Sequence, residues 1–309
     1  MIPVDARPEQ YKQEHCWQYD IRLNNLKEDM LRDGISEEDL SNMSISDFEF
    51  SFVDKSNKVV FAEVVGFIER HEWLGKMSLY PTHLFVARYK HRIVPGSLSK
   101  NVLAGVIVMD MPASFSNLLG KDTRKIERLV SRGACISWSP KNLASSLLMY
   151  SIKWMVANTQ YRLFTAYSDP EARELGTIYQ ACNFTYIGQN FGVGKKYRYP
   201  NTDRWISDRS FRSRSAYRRY AKALGIAWQD SWQLAGKDTI DWTKVPDDVE
   251  DALRAESKRQ YQICDVRETP SKHKYCYILG RTKKETKILK KRFAELNPNL
   301  INLPYPKSR

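Results

Sequence analysis

Over the first 190 residues, the period of the apolar positions switches between two and roughly three and a half. Asp47–Asp54 (DFEFSFVD) alternates aromatic and polar side chains as a strand does, and Lys55-Ser56-Asn57 supplies a turn. From Val59 to Leu74 the spacing of Val60, Val64, Phe67 and Ile68 is helical, with Gly75 as a stop. Strands are expected over His83–Ile93 and Val102–Met109, joined by a Pro95-Gly96 turn, and again over Ile126–Ile136. The strongest helical pattern runs from Asn142 to Asn158, where Leu143, Leu147, Leu148, Ile152 and Met155 return at helical intervals. Arg162–Tyr167 reads as a strand, Glu171–Cys182 as a helix and Phe184–Gly188 as a strand. This succession predicts an α/β fold. Beyond it, Ser210–Leu224, Pro246–Gln260 and Thr282–Leu296 look helical, and Tyr275–Leu279 looks like a strand. Residues 1–45 are polar, partly helical and without recognisable chemistry.

Charge adds what periodicity does not carry. The chain has 49 Lys and Arg against 36 Asp and Glu, a net charge of +13. Residues 1–190 hold 22 of each sign, so the excess lies in residues 191–309, with 27 basic and 14 acidic side chains. A concentrated basic excess favours a polyanionic partner such as DNA, although a solvated surface can be basic with no partner at all. Five scattered cysteines with no CxxC spacing suggest neither a disulfide framework nor structural zinc. No apolar run approaches the ~18–20 residues of a membrane span, and the opening MIPVDARPEQ has no signal-peptide pattern. A cytoplasmic protein is expected.

Two segments are candidates for chemistry. In Ser137–Asn142, Ser139 has the character of an N-cap, Pro140 suits the first helical position and Lys141 brings charge to the first turn. Free N–H groups at such a start form an anion site, with Arg132 or Lys141 as counter-charge and Ser145 one turn on. Ordinary capping explains the same residues. No Walker or dinucleotide glycine signature occurs, which argues against an NTPase or a dehydrogenase. In the second segment Ser168 or Asp169 caps a helix, Ser168 and Glu171 fit a capping box, and Tyr179 follows ten residues after Asp169. Tyrosine can protonate a leaving thiolate, though buried tyrosines more often only pack. Glu72 ends a helix, where its charge opposes the dipole, and is a candidate base toward an amine. Tyr89 and His91, two apart on a strand, are weak candidates for a metal site.

The run Ser168-Asp169-Pro170-Glu171-Ala172, Leu175, Tyr179 and Asn183-Phe184 after a strand resembles the later acyl-CoA motif of the GNAT acyltransferase superfamily. The resemblance implies a GNAT-like mixed sheet flanked by helices, with Tyr179 as general acid. It places the pyrophosphate loop on Arg132–Ser145, where SWSPKNLAS stands in place of the family's repeated glycines. Arg132-Gly133-Ala134-Cys135-Ile136-Ser137-Trp138-Ser139-Pro140-Lys141-Asn142, the Asp169/Tyr179 pair and the closing Tyr305-Pro306-Lys307 resemble, more narrowly, the phage Mom group of DNA-modification proteins. That likeness implies conversion of the adenine N6 amino group to a carbamoylmethyl (acetamido) form, which evades host restriction. It implies as donor acetyl-CoA or a related acyl or aminoacyl compound, and an iron requirement. It also places the protein in the bacterial host cytoplasm.

On these grounds the chain divides into an N-terminal extension (1–45), a GNAT-like catalytic domain (46–199) and a basic, mainly helical DNA-engaging region (200–309). Catalysis falls to Asp169, Tyr179, Glu72 and Ser168, and donor binding to Arg132, Ser139, Lys141, Asn142 and Ser145. Trp73 or Trp138 is available to stack on a base. DNA contacts fall to Arg212, Arg214, Arg218, Arg219 and Lys222, near helical spacing opposite Tyr217, Tyr220 and Leu224. The Lys face of Thr282–Leu296 is explained as well by solvation. A CoA-dependent N-acetyltransferase of a protein or small amine, and a non-catalytic DNA-binding protein on the same scaffold, are the alternatives.

Overall fold

The structure is a computed structural model describing residues 16–78, 80–93, 101–121, 123–189, 194–234 and 239–306. Its first elements are helices α1 (Trp17–Asp33) and α2 (Glu37–Asn42), strand β1 (Phe48–Val53) and helix α3 (Lys58–His71). Strands β2 (Pro81–Ile93) and β3 (Asn101–Asp110) follow, then the single turn α4 (Thr123–Ile126), β4 (Glu127–Cys135), α5 (Leu143–Asn158), β5 (Leu163–Ser168), α6 (Thr177–Ala181) and β6 (Thr185–Gln189). The Pro95-Gly96 turn lies outside the described residues. β1 to β4 pair antiparallel in chain order, and β4 then pairs with β5 in parallel. Such a parallel step needs a crossover, and α5 provides it.

The sheet is completed from far along the chain. Strand β10 (His273–Ile278) enters between β5 and β6, antiparallel to both, which gives the order β1-β2-β3-β4-β5-β10-β6. Helix α9 (Lys283–Leu296) follows it. The fold is thus the mixed sheet flanked by helices that the sequence suggests. Phe67 and Ile68 of α3 and Leu147, Ile152 and Met155 of α5 are buried among strand side chains. Each such side chain contributes roughly 1.5–3 kcal/mol by leaving water.

The expected division of the chain needs correction. One compact unit takes residues 1–190 and 272–309, and the other takes 191–271. No boundary falls at 45 or 199, because α1 and α3 are tied by hydrogen bonds and β10 belongs to the large sheet. The second unit, inserted between β6 and β10, contains the small sheet β7 (Gly194–Arg198), β8 (Ile206–Ser207) and β9 (Asp265–Thr269), with helices α7 (Arg214–Ala223) and α8 (Asp247–Gln262). Its own core gathers Tyr217, Tyr220, Trp232, Ile240 and Leu253.

Two helices also differ from their patterns. Glu171–Cys182 is not continuous: a 3-10 turn at Pro170–Ala172 and the short α6 are separated by Arg173 and Gly176, both at positive φ. At Gly176 an added Cβ would stand 2.6 Å from the Tyr275 ring, so the chain crosses that ring only with glycine there. The Tyr275 hydroxyl fixes the crossing by donating to the Leu175 carbonyl at 2.5 Å. The Ser168–Glu171 capping box does not form; Asp169 is the cap, accepting from Glu171 N at 3.0 Å. Likewise α7 begins at Arg214, after a 3-10 turn at Asp208–Phe211, so Arg212 is not on the helix.

Candidate active site

β4 and β5 share a ladder only from Glu127↔Leu163 to Val130↔Ala166. Past that rung, Ser131–Cys135 of β4 stays with β3, and the end of β5 stays with β10. The two neighbours part, and a cluster of charge gathers at that end of the sheet. Asp169 follows β5, with its Oδ2 3.1 Å from Lys272 Nζ just before β10. Glu174 lies in the break between the 3-10 turn and α6, its Oε2 accepting from Asp169 N at 3.4 Å. Glu72 caps the C-terminus of α3 and accepts from Leu74 N at 3.0 Å. Arg132, on β4, donates to the carbonyls of Lys76 at 2.8 Å and Ser131 at 2.6 Å.

These groups set one another's protonation. Burial raises Glu72 above the usual carboxylate range, opposed by Arg132, by the N–H groups of Leu74 and Gly75, and by Lys272. Glu174 is pushed up to about 7, first by burial and further by the charges of Glu72 and Asp169, while the Asp169 N–H and Lys272 work against the shift. Tyr179, on α6, is raised by burial and then by Glu174 and Glu72, so it keeps its proton. Its ring packs 5.3 Å from both Phe184 and Tyr275, and its hydroxyl has no hydrogen-bond partner among the described residues. Ser168 is buried beside the same wall. The Tyr275 hydroxyl is near it but gives its proton to Leu175, which leaves Ser168 Oγ without a hydrogen bond.

The structure therefore brings Glu72, Asp169, Tyr179 and Arg132 together and adds Glu174 and Lys272. Glu174 is not among the sequence candidates, because Glu171–Cys182 reads as one helix. The signal against that reading was Gly176, which a helix interior disfavours.

The expected donor loop is built differently from its pattern. Ser139 does not cap α5: the helix starts at Leu143, and Asn142 stands at the cap position without a side-chain cap bond. Ser139 is buried, its Oγ without a hydrogen-bond partner, because α1 pulls the loop inward. Arg22 donates to the Ser137 carbonyl at 2.8 Å and to that of Ser139. Ser137 Oγ donates to Asp29 at 2.7 Å, and Trp138 Nε1 donates to Asp33 at 2.8 Å. The N-terminal segment, passed over in the sequence, thus holds this loop. Lys141 and Asn142 are exposed, and Ser145 Oγ donates to the Asn142 carbonyl. The N–H groups of Ala144 and Ser145 have no backbone acceptor among the described residues. No hydrogen bond joins Arg132 to this loop.

Trp138 is core, stacked near Phe48 and edge-on to Tyr89, so it offers no stacking wall. Trp73 packs edge-on against Trp17 at 5.4 Å. The metal candidates stay in contact, their rings 5.3 Å apart and edge-on, but in different surroundings. Tyr89 is buried in the core, while exposed His91 holds Asp47 at 3.1 Å. Among the described residues no three His, Cys, Asp or Glu side chains are grouped to hold a metal, so iron finds no fitting ligand set. In the second unit, Arg218, Arg219 and Lys222 project from α7 opposite buried Tyr217 and Tyr220, and Arg214 begins the helix. Arg218 is held by Asp230 at 2.5 Å, and Arg212 is held by Asp208.

A family model described as the Mom protein family matches residues 87–307. No curated protein matches. Among solved structures, a putative acetyltransferase from Salmonella typhimurium with its cofactor acetyl-CoA is 15% identical, covering 47% of this chain and 87% of that one at a TM-score of 0.32. A ribosomal-protein-S5-alanine acetyltransferase from Vibrio fischeri is 12% identical, over 48% of this chain and 85% of that one, with a TM-score of 0.32. An N-acetyltransferase from Staphylococcus aureus Mu50 is 14% identical, over 51% and 92%, with a TM-score of 0.31. No helix among the described residues is long and apolar enough to cross a membrane.

Proposed function

The chain belongs to the Mom protein family, and from that premise we propose that it is a transferase modifying the N6 amino group of adenine in DNA to a carbamoylmethyl form. The observation that carries this reading is the group Glu72, Asp169, Glu174 and Tyr179 where β4 and β5 part. An exocyclic amine is neutral but loses a proton when it attacks an electrophilic carbon. Glu174, held near pH 7, suits that proton, since a base works best when its pKa lies near the working pH. Asp169, paired with Lys272, fixes the turn that carries Glu174 through its backbone N–H. Tyr179 keeps its proton and has its hydroxyl free, so it can give that proton to a leaving group.

The donor is an acyl-CoA or a related acyl or aminoacyl compound. Its anionic end fits the start of α5, where Ala144 and Ser145 offer free N–H groups and Lys141 adds charge. Attack on the carbonyl carbon of an acyl thioester breaks its C–S bond, releases a thiolate protonated by Tyr179 and leaves an N6-acyl adenine. The carbamoylmethyl product requires the aminoacyl form of the donor. There the new N6–CH2 bond replaces the donor's own N–CH2 bond, and the freed nitrogen takes the carbonyl from the leaving group. A base in duplex DNA reaches the cleft by leaving the stack.

Nucleoside mass spectrometry of DNA from cells expressing the chain tests the proposal. A new adenine mass that is lost with Glu174→Gln supports it. Unmodified adenine alongside acetyl transfer to free amines by the purified protein would overturn it in favour of an amine acetyltransferase.

A further inference from the structure

The basic excess is not where the domain division of the sequence put it. The inserted unit, residues 191–271, holds 16 basic and 12 acidic side chains, whereas residues 272–309 hold 11 basic and two acidic. Most of the excess returns to the unit that carries the cleft, and α9 holds six of those 11 basic side chains.

That helix is set against its own electrostatics. Phe293 and Leu289 pack it onto Leu163, Cys276 and Ile278 of the sheet, leaving Lys283, Lys284, Lys287, Lys290 and Lys291 exposed. A solvated helix usually places glutamates four residues from its lysines. Here Lys283, Lys287 and Lys291 follow one another at that spacing, and like charges so placed repel. Lys283 and Lys284 also lie in the first turn, where the helix dipole disfavours cations. Glu285, the acid among them, is turned inward to Arg162 at 2.8 Å and to the Arg281 N–H at 2.6 Å. Among the described residues Lys283, Lys284, Lys287 and Lys290 have no ion-pair partner, and Lys291 reaches Glu295 at 3.7 Å. Lys283, Lys287 and Lys290 border a shallow, open depression with Gly280 and Thr286.

The same face of the sheet leads from α9 toward the cleft. Cys276 and Ile278 of β10 and Leu163 of β5 touch the α9 side, so strand alternation places Lys274 and Tyr167 on that side too. They are cross-strand neighbours, and Tyr167 is 39% exposed. Asp169 and Lys272 lie just beyond them.

We infer that the lysine face of α9, continued by Lys274 and Tyr167, is the docking surface for the phosphate backbone of the DNA substrate. From Lys283 to Lys290 the helix rises about 10 Å, a span that matches about three phosphates of one strand at about 3.4 Å each along the duplex axis. Repulsion among the lysines is relieved when phosphates sit between them. The inference rests on the DNA reading above and gives it a place on the molecule.

The test is binding of the full-length protein to a labelled random-sequence duplex, followed by fluorescence anisotropy across a salt series. For K283Q/K284Q/K287Q/K290Q, loss of three to four phosphate contacts should lower the slope of log affinity against log salt by about 3, with affinity near physiological salt falling at least ~30-fold. The matching Lys→Arg variant should keep both. All four side chains are exposed, so the melting temperature should hold. An unchanged slope in the Gln variant, with normal binding by the native chain, overturns the inference and leaves the DNA reading standing. Native protein that shows no salt-sensitive duplex binding overturns both. Duplex binding through α9 without any modified adenine sustains the inference and removes the proposed reaction.

Discussion

The cleft and α9 both crowd like charges together, and they resolve the conflict in opposite ways. At the cleft, Glu72, Asp169 and Glu174 stand within electrostatic reach in a largely dry setting, and the cost is met by a proton: Glu174 holds one up to about pH 7. On α9 the lysines stand in water, where charge is screened. A buried cluster of like charge becomes a site that exchanges protons, and an exposed one becomes a site that exchanges counterions. The first suits chemistry on an amine and the second suits adhesion to a polyanion. In one compact unit the two jobs are set apart by solvent access alone.

The sharpest way to break this separation is Glu174→Gln. Turnover should fall by about 10²–10⁴-fold, the usual range for losing a general base, while duplex affinity stays at the native level. In the native protein the rate should rise with pH through about 7 and level off above it, because the base form is the deprotonated one. That limb should be absent from the residual activity of the variant. Parallel loss of DNA affinity would show that the cleft and the docking surface are one site.

A third concentration of charge carries its own counter-charges. Asp29 is fully buried, yet it faces Arg70 at 2.9 Å and Arg32 at 3.2 Å and accepts from Ser137 at 2.7 Å. Opposite charges surround it there. His71 beside it is driven down to about 4, chiefly by burial, so it stays neutral near pH 7. Asp29→Asn should therefore cost about 3 kcal/mol of stability in urea unfolding, since a buried pair loses its partner. It should also loosen the Ser137–Ser139 loop and weaken donor binding. A loss well under 1 kcal/mol would show that α1 is an appendage rather than a clamp.

Burial of Glu174 has a thermodynamic signature of its own. Its folded pKa is raised above the unfolded value near 4.5, so between the two the folded state binds more protons than the unfolded one. Its contribution is fully present below about pH 4.5 and is lost as pH rises through about 7. Relative to native protein, Glu174→Gln should gain about 2–3 kcal/mol between pH 4.5 and 8. A pH-independent difference would show that Glu174 is not held protonated by its surroundings.

Much of the frame was legible because its periods are long and undisturbed. The helix at Leu143–Asn158 and the β2–β3 hairpin follow directly from their apolar spacing. Tyr179 and Asp169 were found through a motif, and Glu72 through a charge at the wrong helix end. What escaped depends on contacts distant in sequence. Glu174 turns inward because Gly176 must pass the Tyr275 ring, and Tyr275 lies about a hundred residues further on. The hold of Arg22, Asp29 and Asp33 on the loop joins residues more than a hundred apart. The charge count was right, but it was assigned to the wrong unit, because nothing local announces that β10 returns to the sheet.

The smallest expected effect concerns the arginines that looked most specific in the sequence. Arg218 is bound to Asp230 and lies over Trp228, with the guanidinium 5.6 Å from the ring centroid, and Arg212 is bound to Asp208. A paired guanidinium must give up its carboxylate before it meets a phosphate, so it releases few counterions from DNA. Exposed pairs of this kind contribute about 0–1 kcal/mol to folding, so R212Q/R218Q should leave stability nearly unchanged. The same variant should lower the salt slope of duplex binding by less than about 1, against about 3 for the α9 lysines. Charge counted along the chain ranks the two helices alike, and charge left free of partners ranks α9 first. A larger slope change from Arg212 and Arg218 than from the lysines would reverse that ranking and move the docking surface to the inserted unit.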